Sequence, residues 1–235
     1  PMVASEADRA LFKNLEESDQ HHYGELVALD RSIGTLRKGL RNLGIQQNTL
    51  VWYCSDNGGL KVNPPSVGGL RGLKGTVYEG GLRVPGIIEW PAVVKRGVRT
   101  ESPASVLDMF PTIAEIVGLP DEAILQPFDG ISLKASIQSG EFGLRKKPVP
   151  FRFAGKGALL DNQYKLVAVD VESRKYELYD LKNDPTESKD VVKALPKVAK
   201  RLQTEFEKWN QGVIESDLGR DYREDELTDP NARRV

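Results

Sequence analysis

Two short apolar runs, Thr49–Cys54 and Val84–Trp90, bracket residues 55–83, a stretch crowded with glycine and proline. This arrangement constrains the fold more than any other feature, because a loop of that length inside a compact domain is usually either functional or disordered. The first run, Thr49-Leu-Val-Trp-Tyr-Cys54, is apolar, partly β-branched and followed by turn residues, which predicts a buried strand. The second predicts another strand, closed by Pro91. Ahead of them, Leu26, Leu29, Ile33, Leu36, Leu40 and Leu43 recur at steps of three and four. That spacing predicts one apolar helix face, with Gly44 as the C-terminal cap. A further helix is expected over Ser105–Val117, with Pro111 tolerable only in its first turns. The order helix, strand, loop, strand, helix predicts an α/β architecture.

Beyond Pro148 and Pro150 the texture changes. Gly157–Leu160, Tyr164–Val169 and Tyr176–Tyr179 are short alternating segments, with Asp161-Asn162 as a turn between the first two, and together they predict an antiparallel meander. Val198, Leu202, Phe206 and Trp209 line one face of a closing helix that starts near Asp190 or Pro196. Residues 216–235 are charged and nearly free of apolar side chains, which predicts a disordered tail. The expected organisation is therefore 1–148, a small α+β subdomain over 149–215, and the tail. The chain has no internal repeat. Its 33 basic and 34 acidic residues leave a formal charge of −1, so no global field points to nucleic acid or a membrane surface. No stretch approaches a membrane span. One cysteine, Cys54, excludes an internal disulfide framework.

The candidate chemistry lies between Cys54 and Pro91. Ser55-Asp56-Asn57-Gly58-Gly59 sits at the C-terminal end of the first predicted strand, where α/β sheets place ligands. Asp56 offers a carboxylate and Asn57 a side-chain carbonyl, hard oxygen donors suited to calcium or magnesium. A plain Asp-Asn-Gly turn explains the same five residues, and alone they mean that more often. Lys74 stands between glycines as a cation with little bulk beside it, and Arg71 and Arg83 could add to an anion-attracting field. The competing explanations are a solvated basic loop and an Arg83–Glu79 pair bracing the Gly-Gly bend.

Taken in order, these segments resemble the arylsulfatase family of the alkaline-phosphatase-like superfamily. The resemblance rests on Ser-Asp-Asn-Gly-Gly after an apolar strand, Lys74-Gly-Thr-Val-Tyr-Glu-Gly-Gly-Leu-Arg-Val-Pro85 and Ile88-Glu-Trp-Pro91. It continues through Ser105-Val-Leu-Asp-Met-Phe-Pro-Thr-Ile-Ala114, Phe128-Asp-Gly-Ile-Ser-Leu133 and Tyr176-Glu-Leu-Tyr-Asp-Leu-Lys-Asn-Asp-Pro-Thr-Glu187. Leu29-Asp-Arg-Ser-Ile-Gly34 is similar to the family's segment before the first strand, so the likeness runs from about Tyr23 to Trp209. It implies the C-terminal portion of a mixed-sheet catalytic domain followed by a small antiparallel-sheet-plus-helix subdomain. It also implies that Asp56 and Asn57 bind a divalent cation, usually calcium, and that Lys74 contacts the substrate's sulfate.

The family's nucleophile, a formylglycine made from cysteine or serine within Cys/Ser-x-Pro-x-Arg, has no counterpart here. No cysteine or serine in the chain is followed two positions later by proline. The remaining metal carboxylates of the family also lie in an N-terminal half that this sequence does not contain. The chain is thus expected to be inactive alone, exposing apolar surface that the other half would cover. Pro1 is read as the remnant of a family motif with a sulfate-contacting histidine just upstream. His21 and His22 match no family position and are expected to be exposed at the helix start. Two alternatives remain: a phosphodiesterase or phosphonate hydrolase of the same superfamily, and a non-catalytic binding or structural module. The resemblance implies a periplasmic, lysosomal or extracellular setting, which the residues themselves do not reveal.

Overall fold

The computed structural model describes residues 3–94, 97–120, 123–124 and 127–220. The chain separates into two compact units, Pro1–Lys147 and Pro148–Val235. Both contain helices and antiparallel strands, an α/β composition with a two-stranded sheet in the first unit and a four-stranded sheet in the second. Pro1, read as a motif remnant, and the expected tail from residue 221 onward lie outside the described residues.

In the first unit, a one-turn helix α1 (Glu6–Arg9) is capped by Ser5, whose hydroxyl accepts from the Asp8 N–H. The long helix α2 (Glu17–Asn42) follows. It begins nine residues before the apolar repeat does, because Glu17–Tyr23 is polar and carries no apolar period. Its end is a Schellman motif: Ile45 N–H donates to Leu40 O at 3.1 Å and Gly44 N–H to Arg41 O at 3.0 Å. The two histidines therefore lie inside the helix, and His21 departs from the expected exposure. Its Nδ1 accepts from Ala4 N–H at 3.0 Å and its Nε2 sits 3.2 Å from Arg9 Nη1, so the ring ties the chain's start to α2.

Strands β1 (Val51–Cys54) and β2 (Gly86–Glu89) pair antiparallel, with Trp52 opposite Ile88 and Tyr53 opposite Ile87. The Arg37 guanidinium fastens α2 to β2 through Glu89, with Nε–Oε2 at 2.7 Å and Nη2–Oε1 at 3.1 Å. The connection between the strands is not wholly irregular, since Glu79–Leu82 forms a one-turn helix α3. The helix expected after the second strand begins as a 3-10 turn, Val106–Asp108, and continues as α4 (Met109–Val117). Pro111 lies in its first turn, where its missing N–H costs nothing. A short helix α5 (Lys134–Ser139) packs Ile137 and the preceding Leu133 into the interior.

One buried ion pair organises this region. Arg145 grips Asp108 with both guanidinium nitrogens, Nη1–Oδ2 at 2.7 Å and Nη2–Oδ1 at 2.8 Å. The same carboxylate accepts from the amides of Ser105 and Ile131, each at 2.8 Å. Asp108 thus anchors the start of α4, the Gly130 segment and Arg145 at once. Replacing it with alanine removes the bidentate carboxylate from a buried guanidinium and the acceptor of two amides, and should cost about 3–5 kcal/mol in urea unfolding of the chain. A loss below about 1 kcal/mol would mean that water reaches the pair, as it does in surface ion pairs.

The second unit is a meander. Strands β3 (Val149–Phe153), β4 (Lys156–Asp161), β5 (Tyr164–Asp170) and β6 (Lys175–Asp180) lie in the order β3-β4-β5-β6. β3 was not foreseen as a strand. It holds Pro150, which an edge strand tolerates because one side of its backbone needs no ladder partner. The closing helix α6 (Pro196–Asp217) starts with Pro196 in its first turn and runs two residues into the segment expected to be tail. Its Ala199, Leu202 and Phe206 pack on Leu159, Leu166, Ala168 and Leu178, as the apolar pattern of each element requires.

Candidate functional site

The loop between β1 and β2 is held by backbone bonds that each involve a glycine. Gly58 N–H donates to Gly81 O at 2.8 Å, Gly80 N–H to Arg71 O at 2.7 Å, and Lys74 N–H to Gly59 O at 2.9 Å. A Cβ on Gly58 would lie 2.0 Å from the Gly80 carbonyl oxygen, and one on Gly80 would lie 2.2 Å from that of Gly72. No larger residue fits either crossing, which explains why glycine clusters here.

This knot brings the candidate residues into one neighbourhood. Asp56 and Asn57 follow β1 directly, and the Lys74 backbone bonds to Gly59, two residues beyond Asn57. Asp56 and Lys74 are exposed and Asn57 is half-buried. Asn57 Nδ2 donates to Asp56 Oδ2 at 2.5 Å, while the Ser55 hydroxyl donates to Asn57 O at 3.0 Å and lies 3.5 Å from Asp56 Oδ1. The Asn57 side-chain carbonyl and Asp56 Oδ1 remain as hard oxygen donors. They fit calcium or magnesium in kind but fall short of calcium's six to eight ligands. Among the described residues no group of three or more His, Cys, Asp or Glu side chains is placed to hold a metal ion.

Two other cations of the loop, Arg71 and Arg83, have structural engagements. The Arg71 guanidinium stacks on the Tyr78 ring, 3.9 Å from its centroid, a cation–π contact that fixes its position. Arg83 approaches the buried Glu79 at 4.0 Å and its N–H donates to Glu79 O at 2.7 Å. That geometry favours the bracing role for Arg83 over a free anion contact. Sequence reasoning gave Tyr78 no part. The signal was available in its spacing from Arg71 across two glycines, but an aromatic in a loop is ambiguous without the fold. Cys54 ends β1 half-buried and as a free thiol.

Comparison with known proteins fits this arrangement into a wider pattern. The model of the family described as Sulfatase matches residues 4–119, and that described as N-sulphoglucosamine sulphohydrolase, C-terminal, matches residues 73–212. A sulfatase of Formosa agariphila is 32% identical over 223 residues, covering 83% of this chain and 40% of that protein. Human arylsulfatase A is 41% identical over 110 residues, 45% of this chain and 21% of that protein. The crystal structure of Ps i-CgsB superposes with a TM-score of 0.79 at 31% identity, covering 89% of this chain and 47% of that one. The same protein has been solved in complex with k-i-k-neocarrahexaose. A phosphonate monoester hydrolase of Agrobacterium radiobacter shares the fold, with a TM-score of 0.62 at 21% identity. The chain therefore spans less than half the length of each of these relatives.

Proposed function

Because the chain belongs to the sulfatase family, we propose that it supplies cation- and sulfate-binding side chains to an enzyme that hydrolyses sulfate esters carried on carbohydrates. The observation that supports this reading is the Lys74–Gly59 backbone bond, which brings the backbone at Lys74 to the segment that follows Asp56 and Asn57 at the end of β1. Asp56 and Asn57 would hold a calcium ion, which when bound would draw charge from the sulfate oxygens. Lys74 adds a fixed positive charge where the sulfate and its leaving oxygen become more negative in the transition state. The Gly58–Gly81 and Gly80–Arg71 bonds brace the loop backbone that carries these residues. A formylglycine would supply the nucleophile. Since these 235 residues contain no motif for its formation, the chain alone is not expected to turn over.

Carbohydrate sulfates are the favoured class because Ps i-CgsB, solved in complex with k-i-k-neocarrahexaose, matches 89% of the chain at 31% identity. The test is sulfate release from a sulfated galactan oligosaccharide, compared with phosphate release from the matched phosphate ester. It is run on this chain alone and on this chain joined to a formylglycine-bearing sulfatase half. Activity only in the joined protein, with sulfate preferred, supports the proposal. Turnover by the chain alone or a preference for phosphate overturns it.

A further inference from the structure

We infer that the outward face of α6, where Lys197, Lys200 and Lys208 stand in a row, binds the anionic groups of a sulfated polysaccharide. The choice of a sulfated carbohydrate as occupant rests on the function proposed above; the cationic face does not.

The helix has two unlike faces. Val198, Leu202, Phe206 and Trp209 pack against the core of the second unit. At about 3.6 residues per turn, Lys197, Lys200, Thr204 and Lys208 fall on the opposite side, and all four are exposed. Pro196, Lys197, Lys200, Arg201, Thr204 and Glu205 line a concavity of about 640 Å³ on this face, a volume in the range of ligand-binding clefts. The concavity is wide open to solvent, which suits a polymer lying across it better than an enclosed small molecule.

The charges on α6 are not those that folding favours. A helix is stabilised by acidic side chains near its N-terminus and basic ones near its C-terminus. Here the order is reversed: the first turn holds no acidic residue and the last turn no basic one. Lys197, Lys200 and Arg201 fall in the first two turns, and Glu215 and Asp217 lie near the end. Lys197 also stands three and four residues from Lys200 and Arg201, spacings at which like charges repel. A face that served solvation alone would interleave the two signs.

The acidic side chains on the same stretch of helix are already engaged. Arg201 holds Asp161 Oδ2 at 2.6 Å and Glu205 Oε1 at 3.1 Å, and Glu207 accepts from the Tyr176 hydroxyl at 3.1 Å. Among the described residues, the ammonium groups of Lys197, Lys200 and Lys208 have no ion-pair partner. From Lys197 to Lys208 the helix rises about 16 Å, at about 1.5 Å per residue. That length meets anions on successive sugar rings, not one isolated ion. Sulfate groups stay charged near neutral pH, so a sulfated chain supplies the complementary row and an unsulfated one does not. Holding such a polymer here raises the local concentration of its sulfate esters, as linked binding sites do.

The test is calorimetric binding of the full 235-residue chain to a sulfated galactan, with the same galactan chemically desulfated as control. Binding to the sulfated polymer alone is expected, weakening as salt is added. Lys197→Gln/Lys200→Gln/Lys208→Gln should weaken it roughly 10–100-fold, the loss expected when three cations leave an anionic surface. The corresponding triple change to arginine should keep it. So should Lys13→Gln/Lys38→Gln/Lys146→Gln, which removes the same charge from exposed positions elsewhere. Arg201 is left intact because it ties α6 to Asp161. Lys208→Glu alone, far from the start of the helix, should also weaken binding and gives an independent reading should the triple variant fold poorly. The inference is overturned by equal binding of the desulfated polymer or of polyglutamate, or by glutamine variants of α6 that bind like the unaltered chain. Binding lost through Lys74→Ala instead would overturn it too. Sulfate release is read separately, in the protein joined to a formylglycine-bearing half. Polymer binding through α6 without sulfate release leaves this face standing and defeats the enzymatic reading. Sulfate release by a protein whose α6 variants bind as before does the reverse.

Discussion

Exchanging Lys74 for alanine, in a sulfatase completed by a formylglycine-bearing half, should lower kcat/KM for a sulfate ester by about 10²–10³-fold. The expected size follows from losing one preorganised charge at the transferring group, comparable to deleting an oxyanion-hole donor. Lys74→Arg keeps the charge but replaces a compact ammonium with a planar fork, so part of the activity should remain. The fold should be indifferent to both changes, because the Lys74 side chain is exposed and its structural contact is the backbone N–H to Gly59 O. Asp56→Ala should behave differently: activity falls and added calcium restores part of it, since a weakened site is refilled by mass action. In this chain by itself, calcium binding should be weak in calorimetry, because two oxygen donors make an incomplete shell. A Lys74→Ala loss smaller than about tenfold would remove Lys74 from the transition-state interactions.

The candidate residues were legible because their chemistry is local. Asp56-Asn57 after an apolar strand and Lys74 between glycines stand out by residue type and position. What brings them together was not legible. The Gly58–Gly81, Gly80–Arg71 and Lys74–Gly59 bonds join backbones between nine and twenty-three residues apart, and glycine clusters signal close approach without naming partners. Arg71 shows the cost of that silence. By sequence it was a candidate anion contact, yet its guanidinium lies on the Tyr78 ring.

The fold divided along similar lines. β5 and β6, α6 and the Gly44 cap follow from periodicity and turn chemistry, and they appear where those signals put them. Elements of fewer than two turns, α1, α3 and α5, are too short to show a period. The polar first turns of α2 carry no apolar repeat, and Pro150 disguised β3. Buried charges were the largest omission. Asp108 and Arg145 are 37 positions apart, and only the Ser105-x-x-Asp108 spacing, a capping-box signature, hinted that Asp108 was structural.

Lys165 is the sharper case, and it should dominate the stability of the second unit. In Tyr164–Asp170 the lysine falls where a solvent-facing residue is expected, yet it is fully buried, with Nζ 2.9 Å from Oε1 of an equally buried Glu187. Removing an ammonium from water is costly, and a carboxylate partner at this distance offsets much of the loss. Lys165→Met takes from the buried Glu187 carboxylate its ion-pair partner and should cost about 3–5 kcal/mol, a large fraction of the 5–15 kcal/mol typical of a domain. Glu187→Leu alone should cost a similar amount from the other side. Its backbone adopts positive φ at 54°, so a branched side chain adds some strain there. The double variant Lys165→Met/Glu187→Leu removes both charges and should recover most of either loss, as apolar replacement of buried pairs often does. Hydrogen exchange at the β5 amides, read against urea unfolding of the full chain, separates these outcomes. Single-variant losses below about 1 kcal/mol would place the pair in water, in the range of exposed ion pairs. A double variant as unstable as the sum of the singles would mean that the two side chains stabilise the fold independently and not through each other.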